Sequence, residues 1–551
     1  MKYLYTMVTV GLVAAVAAAQ GERRLSVEQY RDRMFGGWVG QIAGVCWGAP
    51  TEFKWNEKII PLADVPEWKP EMINDAFGQD DLYVEMTFLR SLEEYGLDVS
   101  IRQAGLDFAN SEYQLWCAND AGRKNLRRGI APQDSSHPKF NSCPNDIDYQ
   151  IEADFAGLIS PGMPNSVIAL GEKFGRLMNY GDGVYGGQFM GAMYAEAFFT
   201  DDMQKIIAAG LAAIPAGSQY AEMVRDLVKW HRENPNWEDT WQLCLKKYRQ
   251  DPEYQKCSNG GIDVKINGAC VMLGLLYGNN DMDQTIIISM RGGWDSDCNP
   301  SSAAGVLGTA LGYSKLPDKF KEKLDLTRKF SFTAYNVPEL KAVSEKLMRQ
   351  ILAQQGGRVE GDVLIIPGAP VKPSKLELSW EPGPIANSRF TDEEYAKVRF
   401  KPHPADVGGN ATDKVQGALN ALAPGWKTSA NGPDMNPGYR ADYHGHKHVV
   451  MTHPLDKDTG VTLRNEIDVP AGSPKLMVTL SNDDRGDFTF IANVDGKEIL
   501  RKKIGETGKA DWQTLALDLS PYAGKKVKVE LINQPDGWQF EAAYWEKIEL
   551  K

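Results

Sequence analysis

The sequence predicts a multidomain protein with an all-α N-terminal domain and a C-terminal all-β sandwich. Its length of 551 residues exceeds what one ordinary hydrophobic core fills, so two or more domains are expected. From about Val27 to Met348, apolar residues recur with a helical period between short breaks of Gly, Asn, Asp or Pro. From about residue 386 onward, short β-branched runs separated by turn residues replace that period, and Asp495-Gly496 is a hairpin signal.

The first 19 residues have the pattern of a secretory signal peptide. An early lysine precedes an apolar run from about Met7 to Val16, and Ala17-x-Ala19 supplies small residues for cleavage. We therefore predict a mature chain that starts near Gln20 and is secreted or periplasmic. The run is shorter than the roughly 20 residues that span a bilayer, and no other segment approaches that length, so we expect no membrane anchor.

Changes in composition and in hydrophobic periodicity along the chain set the predicted domain boundaries. We place the helical domain at residues 20–355, a proline-rich linker with short strands at 356–385, and the β-sandwich at 386–551. The sandwich contains several large aromatic residues, most of them expected in its core. One or two exposed rings would stack on sugar faces, so the sandwich is either a carbohydrate-binding module or a structural appendage. The residues in question are Trp426, Trp512, Trp538, Phe540, Tyr544 and Trp545.

Two polar motifs in the sandwich are weaker candidates for ion binding. The stretch HGHKH places His444, His446 and His448 along a strand, although surface histidines without a metal are commoner. The stretch SNDDRGD, residues 481–487, carries three aspartates that would suit calcium, but a plain turn accounts for them equally well.

The charge and cysteine content exclude some partners. The formal net charge of −12 comes without a basic stripe, whereas nucleic-acid binding needs clustered lysine and arginine to neutralise phosphates. We therefore expect no nucleic-acid partner. The seven cysteines leave at least one thiol unpaired in an oxidising compartment, and their spacing matches no zinc motif.

The first long helix of the mature chain carries a glycine at every fourth position. In MFGGWVGQIAGVCWGAP these glycines are at 36, 40, 44 and 48, and each costs about 1 kcal/mol in a helix interior relative to alanine. Close approach of another helix would compensate for that cost. The small-residue stretch from Ser301 to Gly308 is the expected partner, in a helix capped by Asn299 that begins at Pro300.

Two aspartate pairs stand at the predicted starts of helices. Asp80 and Asp81 occur in FGQDDLYVE, and Asp295 and Asp297 occur in GGWDSDCNP. Each pair taken alone is consistent with helix capping and with the positive end of the helix dipole. If packing brings all four carboxylates together, they repel one another unless a cation binds. Oxygen ligands of this kind suit one or two divalent ions, with Mg²⁺ preferred and Ca²⁺ or Mn²⁺ as alternatives.

Residues 30 to 315 resemble the ADP-ribosylglycohydrolase family in three ordered motifs. GGWVGQIAGVCWGAPTEF resembles its glycine-spaced helix and the turn that follows, with Glu52 in the glutamate position. GQDDL occupies the place of the family's Thr-Asp-Asp-Thr, and GGWDSDCNPSSAAG that of Gly-x-Asp-x-Asp-Thr. The resemblance implies a pair of magnesium ions that hold a ribose. The implied ligands are Asp80, Asp81, Asp295 and Asp297, with Gln79 and Cys298 in the positions of two family threonines.

The sequence departs from the family pattern at three threonines, which Gln79, Leu82 and Cys298 replace. Gln79 still offers an oxygen, but Leu82 offers no ligand and the Cys298 thiol is a poor ligand for a hard cation. One of the two metal positions is therefore expected to be weakened, altered toward Ca²⁺, or lost.

Several acidic residues lie where the family has its groove segment. NDIDYQIEADF supplies Asp146, Asp148, Glu152, Asp154 and Phe155, with Asp154-Phe155 at the family's groove position. Such acids favour a neutral, hydroxyl-rich sugar over a pyrophosphate, although a solvated acidic turn is the alternative. The loop GDGVYGG lacks the Lys-Ser/Thr ending of a phosphate loop and is interpreted as a helix entry. The candidate substrate-binding residues are Asp146, Asp148, Glu152, Phe155, Gly186 and Gly187.

These groups point to cleavage of a glycosidic bond. That reaction needs stabilised positive charge at the sugar, a protonated leaving group and a positioned water. By resemblance Glu52 is the first candidate for an acid–base or gating role, followed by Asp81 and Asp154. The expected partner is a sugar-containing small molecule or a glycan. Three functions stay open: a secreted metal-dependent glycosidase, a true ADP-ribosyl hydrolase, and an inactive, metal-stabilised glycan-binding protein.

Overall fold

The computed structural model describes residues 21–401, 410–505, 508–537 and 540–551. The predicted signal peptide and Trp538 lie outside these residues. Two compact units divide the chain between Phe400 and Lys401, and the predicted helical-plus-sandwich fold class is confirmed. The second unit begins later than residue 386, where we placed the sandwich, because the intervening segment is bound to the helical unit. The Arg102 guanidinium donates there to the Ser388 hydroxyl and the Arg389 carbonyl.

The first unit consists of helices joined by short turns and 3₁₀ segments. Its α-helices are α1 (Val27–Gly48), α2 (Asp80–Tyr95), α3 (Ile101–Ala109), α4 (Cys117–Arg127), α5 (Asp148–Ile151), α6 (Asp154–Leu158), α7 (Pro164–Phe174), α8 (Asp182–Ala197), α9 (Met203–Ala212), α10 (Gln219–Glu233), α11 (Trp237–Cys244), α12 (Val264–Tyr277), α13 (Met282–Arg291), α14 (Cys298–Leu311), α15 (Val337–Gln354) and α16 (Asp392–Ala396). No helix in the described ranges combines the length and apolarity that a membrane span requires.

A small antiparallel sheet closes the first unit. It contains β1 (Arg23–Ser26), β2 (Arg358–Glu360) and β3 (Val363–Ile366), with β3 in the centre. The register pairs Arg23 with Ile366 and Arg358 with Ile365. The first described strand is therefore hydrogen-bonded to the predicted linker, whose short strands belong to the helical unit.

The glycine-spaced helix α1 packs directly against α14. A Cβ atom on Gly40 would lie 2.1 Å from the Ala304 carbonyl oxygen, and one on Gly44 would lie 2.2 Å from that of Pro300. Glycine is thus required at these positions because the two backbones touch. The predicted close approach is confirmed, and α14 begins at Cys298, two residues before the predicted start.

The second unit begins with one helix, α17 (Ala411–Leu422), which is followed by a sandwich of two antiparallel sheets. Its strands are β4 (Lys427–Thr428), β5 (Gly438–Tyr443), β6 (His446–Thr452), β7 (Val461–Asp468), β8 (Lys475–Asn482), β9 (Phe488–Val494), β10 (Lys497–Ile504), β11 (Gln513–Asp518), β12 (Lys526–Gln534) and β13 (Ala543–Leu550). One sheet has the order β10-β9-β12-β7-β4 and the other β11-β8-β13-β6-β5. Side chains from both sheets, such as Phe490 and Trp545, form one apolar core.

Candidate functional site

A cavity of about 460 Å³ opens where the N-termini of α2, α4 and α14 converge in the first unit. The positive end of each helix dipole faces this point, which favours negative groups there. The cavity walls come from these helix starts, from the turn after α1 and from α5. They are Glu52, Phe53, Gln79, Asp80, Trp116, Cys117, Asn119, Ile147, Asp148, Ile151, Ile262, Asp295, Asp297 and Cys298.

The backbone contact between α1 and α14 sets the position of the metal-binding candidates. A Cβ atom on Gly48 would lie 2.1 Å from the Ser296 carbonyl oxygen, so the loop between Asp295 and Asp297 lies against the end of α1. The Thr51 and Ser296 hydroxyls are hydrogen-bonded at 2.7 Å. The turn that carries Glu52 is thereby fixed beside the loop that carries the two aspartates.

The two predicted aspartate pairs meet at this cavity. Burial raises the pKa of Asp81 well above its usual range, and the charges of Asp80 and Asp297 raise it further. The pKa of Asp297 is likewise raised by burial and then by Asp295. Ligand atoms of Asp295, Asp297 and Cys298 lie within 4.8 Å of one another. The four carboxylates therefore form one interacting group.

Several oxygens of this group lack a protein N–H or O–H donor. Among the described residues, the Cys298 thiol is the one side chain close enough to the fully buried Asp81 carboxylate to lower its pKa by hydrogen bonding, and neither oxygen has an N–H or O–H donor. One oxygen each of Asp295 and Asp297, which are 5% and 3% exposed, likewise lacks such a donor. Buried carboxylates without donors are costly to ionise, so the donor set fits a divalent cation with oxygen ligands. The thiol of Cys298 does not fit such a site, because cations that prefer oxygen ligands bind sulfur poorly.

Glu52 lies at the mouth of the cavity, with part of its surface in solvent. Burial of its carboxyl group raises its pKa to about 7, and the charges of Asp297 and Asp80 add to that effect. Burial also raises the pKa of Asp295 to about 7. The predicted acid–base candidate is thus beside the metal-binding candidates and exchanges its proton near neutral pH.

A second acidic group lies where α4 and α5 form the cavity wall, and it is organised by Asn119. The Asn119 backbone N–H donates to Asp148 Oδ1 at 2.9 Å, and its side-chain amide donates to Glu152 Oε1. The remaining oxygens, Asp148 Oδ2 and Glu152 Oε2, are buried and have no partner among the described residues. Burial raises the pKa of Asp148 to about 7. Asp148 lines the cavity, so its Oδ2 is free to accept a hydrogen bond from a ligand. Glu152 is fully buried and is not part of the cavity wall, so its predicted substrate contact is not found.

Asp146 lies behind Asp148 and is fully buried. Burial and then the charge of Asp148 raise its pKa to about 9, while Asn259 donates to it at 3.4 Å. Asp146 is therefore adjacent to the acidic wall without being part of the cavity surface.

The other predicted site residues lie in the core behind the cavity. Asp154 accepts a hydrogen bond from the Tyr194 hydroxyl at 2.6 Å, and burial raises its pKa to about 8. Phe155 is fully buried, with its ring centroid 5.9 Å from that of Phe88. The predicted substrate contacts of Phe155, Gly186 and Gly187 are not found on the cavity walls. They are buried by packing, since a Cβ on Gly187 would lie 2.3 Å from the Tyr149 ring and one on Gly186 would lie 2.6 Å from Val264.

Three residues near the cavity were not among the site residues predicted from the sequence. Asn119 bridges two acids that lie about 30 residues further along the chain, and nothing in its local sequence indicates that. Trp116 is 50% exposed at the rim, and a lone tryptophan carries no signal for such a position. Glu85 accepts a hydrogen bond from the Phe155 backbone N–H at 2.8 Å. Its position one helical turn after Asp81 indicates that the two side chains share a face of α2.

The two polar motifs of the sandwich have internal partners. His446 Nδ1 lies 2.8 Å from Glu546 Oε1 and its ring stacks on Trp512, while His444 is in the β5–β6 turn. Asp483 accepts from Arg485 Nε at 2.8 Å and from the Tyr544 hydroxyl at 3.0 Å. Within the described ranges, the group at residues 295–298 is the one cluster with metal-binding geometry.

Comparisons with known proteins match the helical unit. A family model described as ADP-ribosylglycohydrolase matches residues 26–356, more than half of the chain. Among solved structures, the chain is similar to an ADP-ribosylglycohydrolase-related protein complex, with 13% identity and a TM-score of 0.37 over 59% of this chain and 99% of that one. It is also similar to the Stig cyclase Fisc from Fischerella sp. TAU, with 18% identity and a TM-score of 0.19 over 23% of this chain and 84% of that one. No curated protein gives a match.

Proposed function

The chain belongs to the ADP-ribosylglycohydrolase family, and from that premise we propose that it is a secreted, metal-dependent glycoside hydrolase. Its substrate is a phosphate-free, ribose-like or other sugar with an N- or O-glycosidic bond. The observation that carries the proposal is the cavity itself, whose walls include unpartnered carboxylate oxygens of Asp148, Asp295 and Asp297.

The residues that would hold the metal are Asp80, Asp81, Asp295 and Asp297, with Gln79 and Cys298 beside them. Their unpartnered oxygens support this assignment, since buried carboxylates are stabilised when a cation coordinates them. A bound divalent cation supplies positive charge that orients sugar hydroxyls and stabilises developing negative charge.

The acidic wall would bind the sugar. Asn119 holds one oxygen of Asp148, so the second oxygen of that carboxylate stays available at the cavity wall. The buried Glu152 accepts from the Asn119 side-chain amide and keeps that residue in place. A carboxylate is a strong acceptor for hydroxyl donors, and one held by an asparagine orients a sugar hydroxyl. Ile147 and Ile151 provide apolar surface beside the carboxylate.

The charge of the cavity argues against a pyrophosphate in the same place. Its described walls carry five carboxylates, from Glu52, Asp80, Asp148, Asp295 and Asp297, and no lysine or arginine. A helix N-terminus is an ordinary site for phosphate, but the Asp148 carboxylate already accepts from the Asn119 backbone at the start of α4. A substrate without phosphate therefore avoids repulsion that ADP-ribose would meet.

Glu52 would transfer the proton. Its side chain is on the cavity wall and its pKa of about 7 allows both protonation states near neutral pH. Asp81 and Asp154, the other sequence candidates, are fully buried behind the wall, so their roles are to hold the metal and to support the wall.

Two other functions keep specific support. The family match favours a true ADP-ribosyl hydrolase, in which the substrate carries a pyrophosphate. The replacement of family threonines by Leu82 and Cys298 favours an inactive glycan-binding protein, in which the sandwich would supply the glycan contact.

The experiment that separates these functions is a substrate panel. The mature chain is incubated with ADP-ribosyl peptides, nucleosides, and furanoside and pyranoside oligosaccharides, with and without a chelator, and released sugar is measured by mass spectrometry. We expect chelator-sensitive release from a phosphate-free substrate. Release from ADP-ribosyl peptides alone would overturn the phosphate-free sugar. Binding of metal and glycan without any release would overturn hydrolysis.

A further inference from the structure

Cys298 places a thiol inside a carboxylate cluster. It is the first residue of α14, is 5% exposed, and lines the cavity. Its Sγ atom and one carboxylate oxygen each from Asp295 and Asp297 lie within 4.8 Å of one another. Three ligand atoms this close together can be brought onto one ion by small side-chain rotations.

The neighbouring oxygens provide independent support for a ligand at this point. Asp295 Oδ1, Asp297 Oδ1 and both oxygens of Asp81 are buried without an N–H or O–H donor among the described residues. The thiol of Cys298 is close enough to the Asp81 and Asp295 carboxylates to lower the pKa of each. The thiol is therefore adjacent to oxygens that need a cation. It does not lie in an apolar pocket, where a buried cysteine acts as a small hydrophobe.

A thiolate among the ligands changes which cation is preferred. Mg²⁺ and Ca²⁺ favour oxygen ligands, whereas thiolates favour softer ions such as Zn²⁺ and Cd²⁺. We propose that Cys298 is a direct metal ligand and that it makes this centre select a thiophilic divalent cation, such as Zn²⁺, over Mg²⁺. The inference rests on the metal centre of the proposed function, but it does not require hydrolysis.

Binding involves one proton and no change of oxidation state. The Cys298 S–H bond breaks, its proton passes to solvent, and a sulfur–metal bond forms. Asp295 and Asp297 supply oxygens to the same ion.

Cobalt is the probe that reports this bond without any measurement of activity. A thiolate ligand gives Co²⁺ a near-ultraviolet charge-transfer band, which oxygen ligands alone do not give. The full mature chain is treated with chelator and titrated with Co²⁺. We expect a band that saturates at one thiolate per chain.

Variants assign the band to one residue. Cys298→Thr restores an oxygen at this position and is expected to abolish the band while Co²⁺ still binds. Cys117→Ser removes another thiol of the same cavity wall and is expected to keep the band. Calorimetric titrations should show the preference for Cd²⁺ over Mg²⁺ falling about 10- to 100-fold in Cys298→Thr, on the scale of changes to a metal site.

A band that survives in Cys298→Thr, or Co²⁺ binding without a band in the native chain, would overturn the inference. An unchanged ratio of Cd²⁺ to Mg²⁺ affinity would do the same. If Asp297→Asn abolishes Co²⁺ binding, the metal centre stands whether or not any sugar is cleaved. A chain that shows the band and cleaves nothing would support this inference and overturn the proposed hydrolase.

Discussion

Buried acidic side chains have different hydrogen-bond partners, and opposite pKa shifts, in the cavity of the helical unit and in the sandwich. Asp483 of the sandwich is 2% exposed, and burial acts to raise its pKa. Hydrogen bonds from Arg485 and Tyr544 outweigh that effect, so its pKa is lowered. Asp81 of the cavity is fully buried and has no such partners, so burial and the neighbouring carboxylates raise its pKa.

The difference separates a structural acid from a functional one. Where the chain supplies its own counter-charge, as Arg485 does, the acid is satisfied within the fold and needs no ligand from outside. Where several acids face one cavity without that supply, the fold carries an electrostatic cost that a cation removes. Function in this chain is therefore indicated by missing partners more than by the acids themselves.

The largest expected effect comes from removal of one acid in each region. Asp297→Asn removes a proposed metal ligand, so we expect metal affinity and turnover to fall by more than about 100-fold. Asp483→Asn alters an acid that already has an internal partner, and both quantities should stay at the native level. Isothermal titration with Mg²⁺ and Zn²⁺, together with initial rates on the substrate found in the panel, measures both. A loss of metal affinity in Asp483→Asn would erase the distinction between the regions.

The pH dependence of stability is the next largest effect. In the folded protein the pKa of Asp148 and that of Asp295 are about 7, above the unfolded value near 4. The folded state then binds protons that the unfolded state releases, so stability falls as pH rises from about 4 to 7. We expect the metal-free protein to lose roughly 2 kcal/mol or more of unfolding free energy between about pH 5 and pH 8.

Denaturant unfolding of the chelator-treated chain checks that expectation. Added divalent cation should restore stability at about pH 8, since it binds the ionised carboxylates of the native state. A profile without slope, or one that cation leaves unchanged, would show that the acids have partners after all.

The smallest expected effect is a change in the free energy of unfolding that has opposite signs in the two regions. At about pH 8 without metal, Asp295→Asn removes an ionised, unpartnered acid and should raise the free energy of unfolding by about 1 kcal/mol or more. Asp483→Asn weakens the pairing with Arg485, which is more than half exposed, and should lower it by about 1 kcal/mol. Chemical denaturation of the two variants beside the native chain measures both changes. Shifts of the same sign would contradict the contrast.

The sequence was most informative where one residue type recurs with a fixed period. The glycines at 40 and 44 predicted the contact between α1 and α14, because a helix that lacks a side chain at every turn of one face gains stability there only if another backbone fills the space. The aspartate pairs predicted the metal-binding candidates because each pair stands at the start of a helix. The N-termini of both helices, α2 and α14, lie at the cavity.

The substrate wall was harder to predict because it depends on packing between distant segments. Phe155 and Gly187 follow acids or glycines in sequence, yet the packing of α6 and α8 places them inside the core. Asn119 was missed because its partners, Asp148 and Glu152, belong to another helix and to the residue after it. Local pattern gives the identity of such residues but not the direction in which they face.

The glycine contact between α1 and α14 has a consequence for how this protein can change over generations. The end of α1, just before the turn that carries Glu52, touches the loop that carries Asp295 through backbone atoms, because Gly48 leaves no room for a Cβ atom beside Ser296. The spacing at this contact therefore does not depend on the size of a side chain at position 48. Core residues elsewhere can drift in size while the dimensions of the reaction centre stay the same. The site is thus insulated from the variation that the rest of the helical unit absorbs.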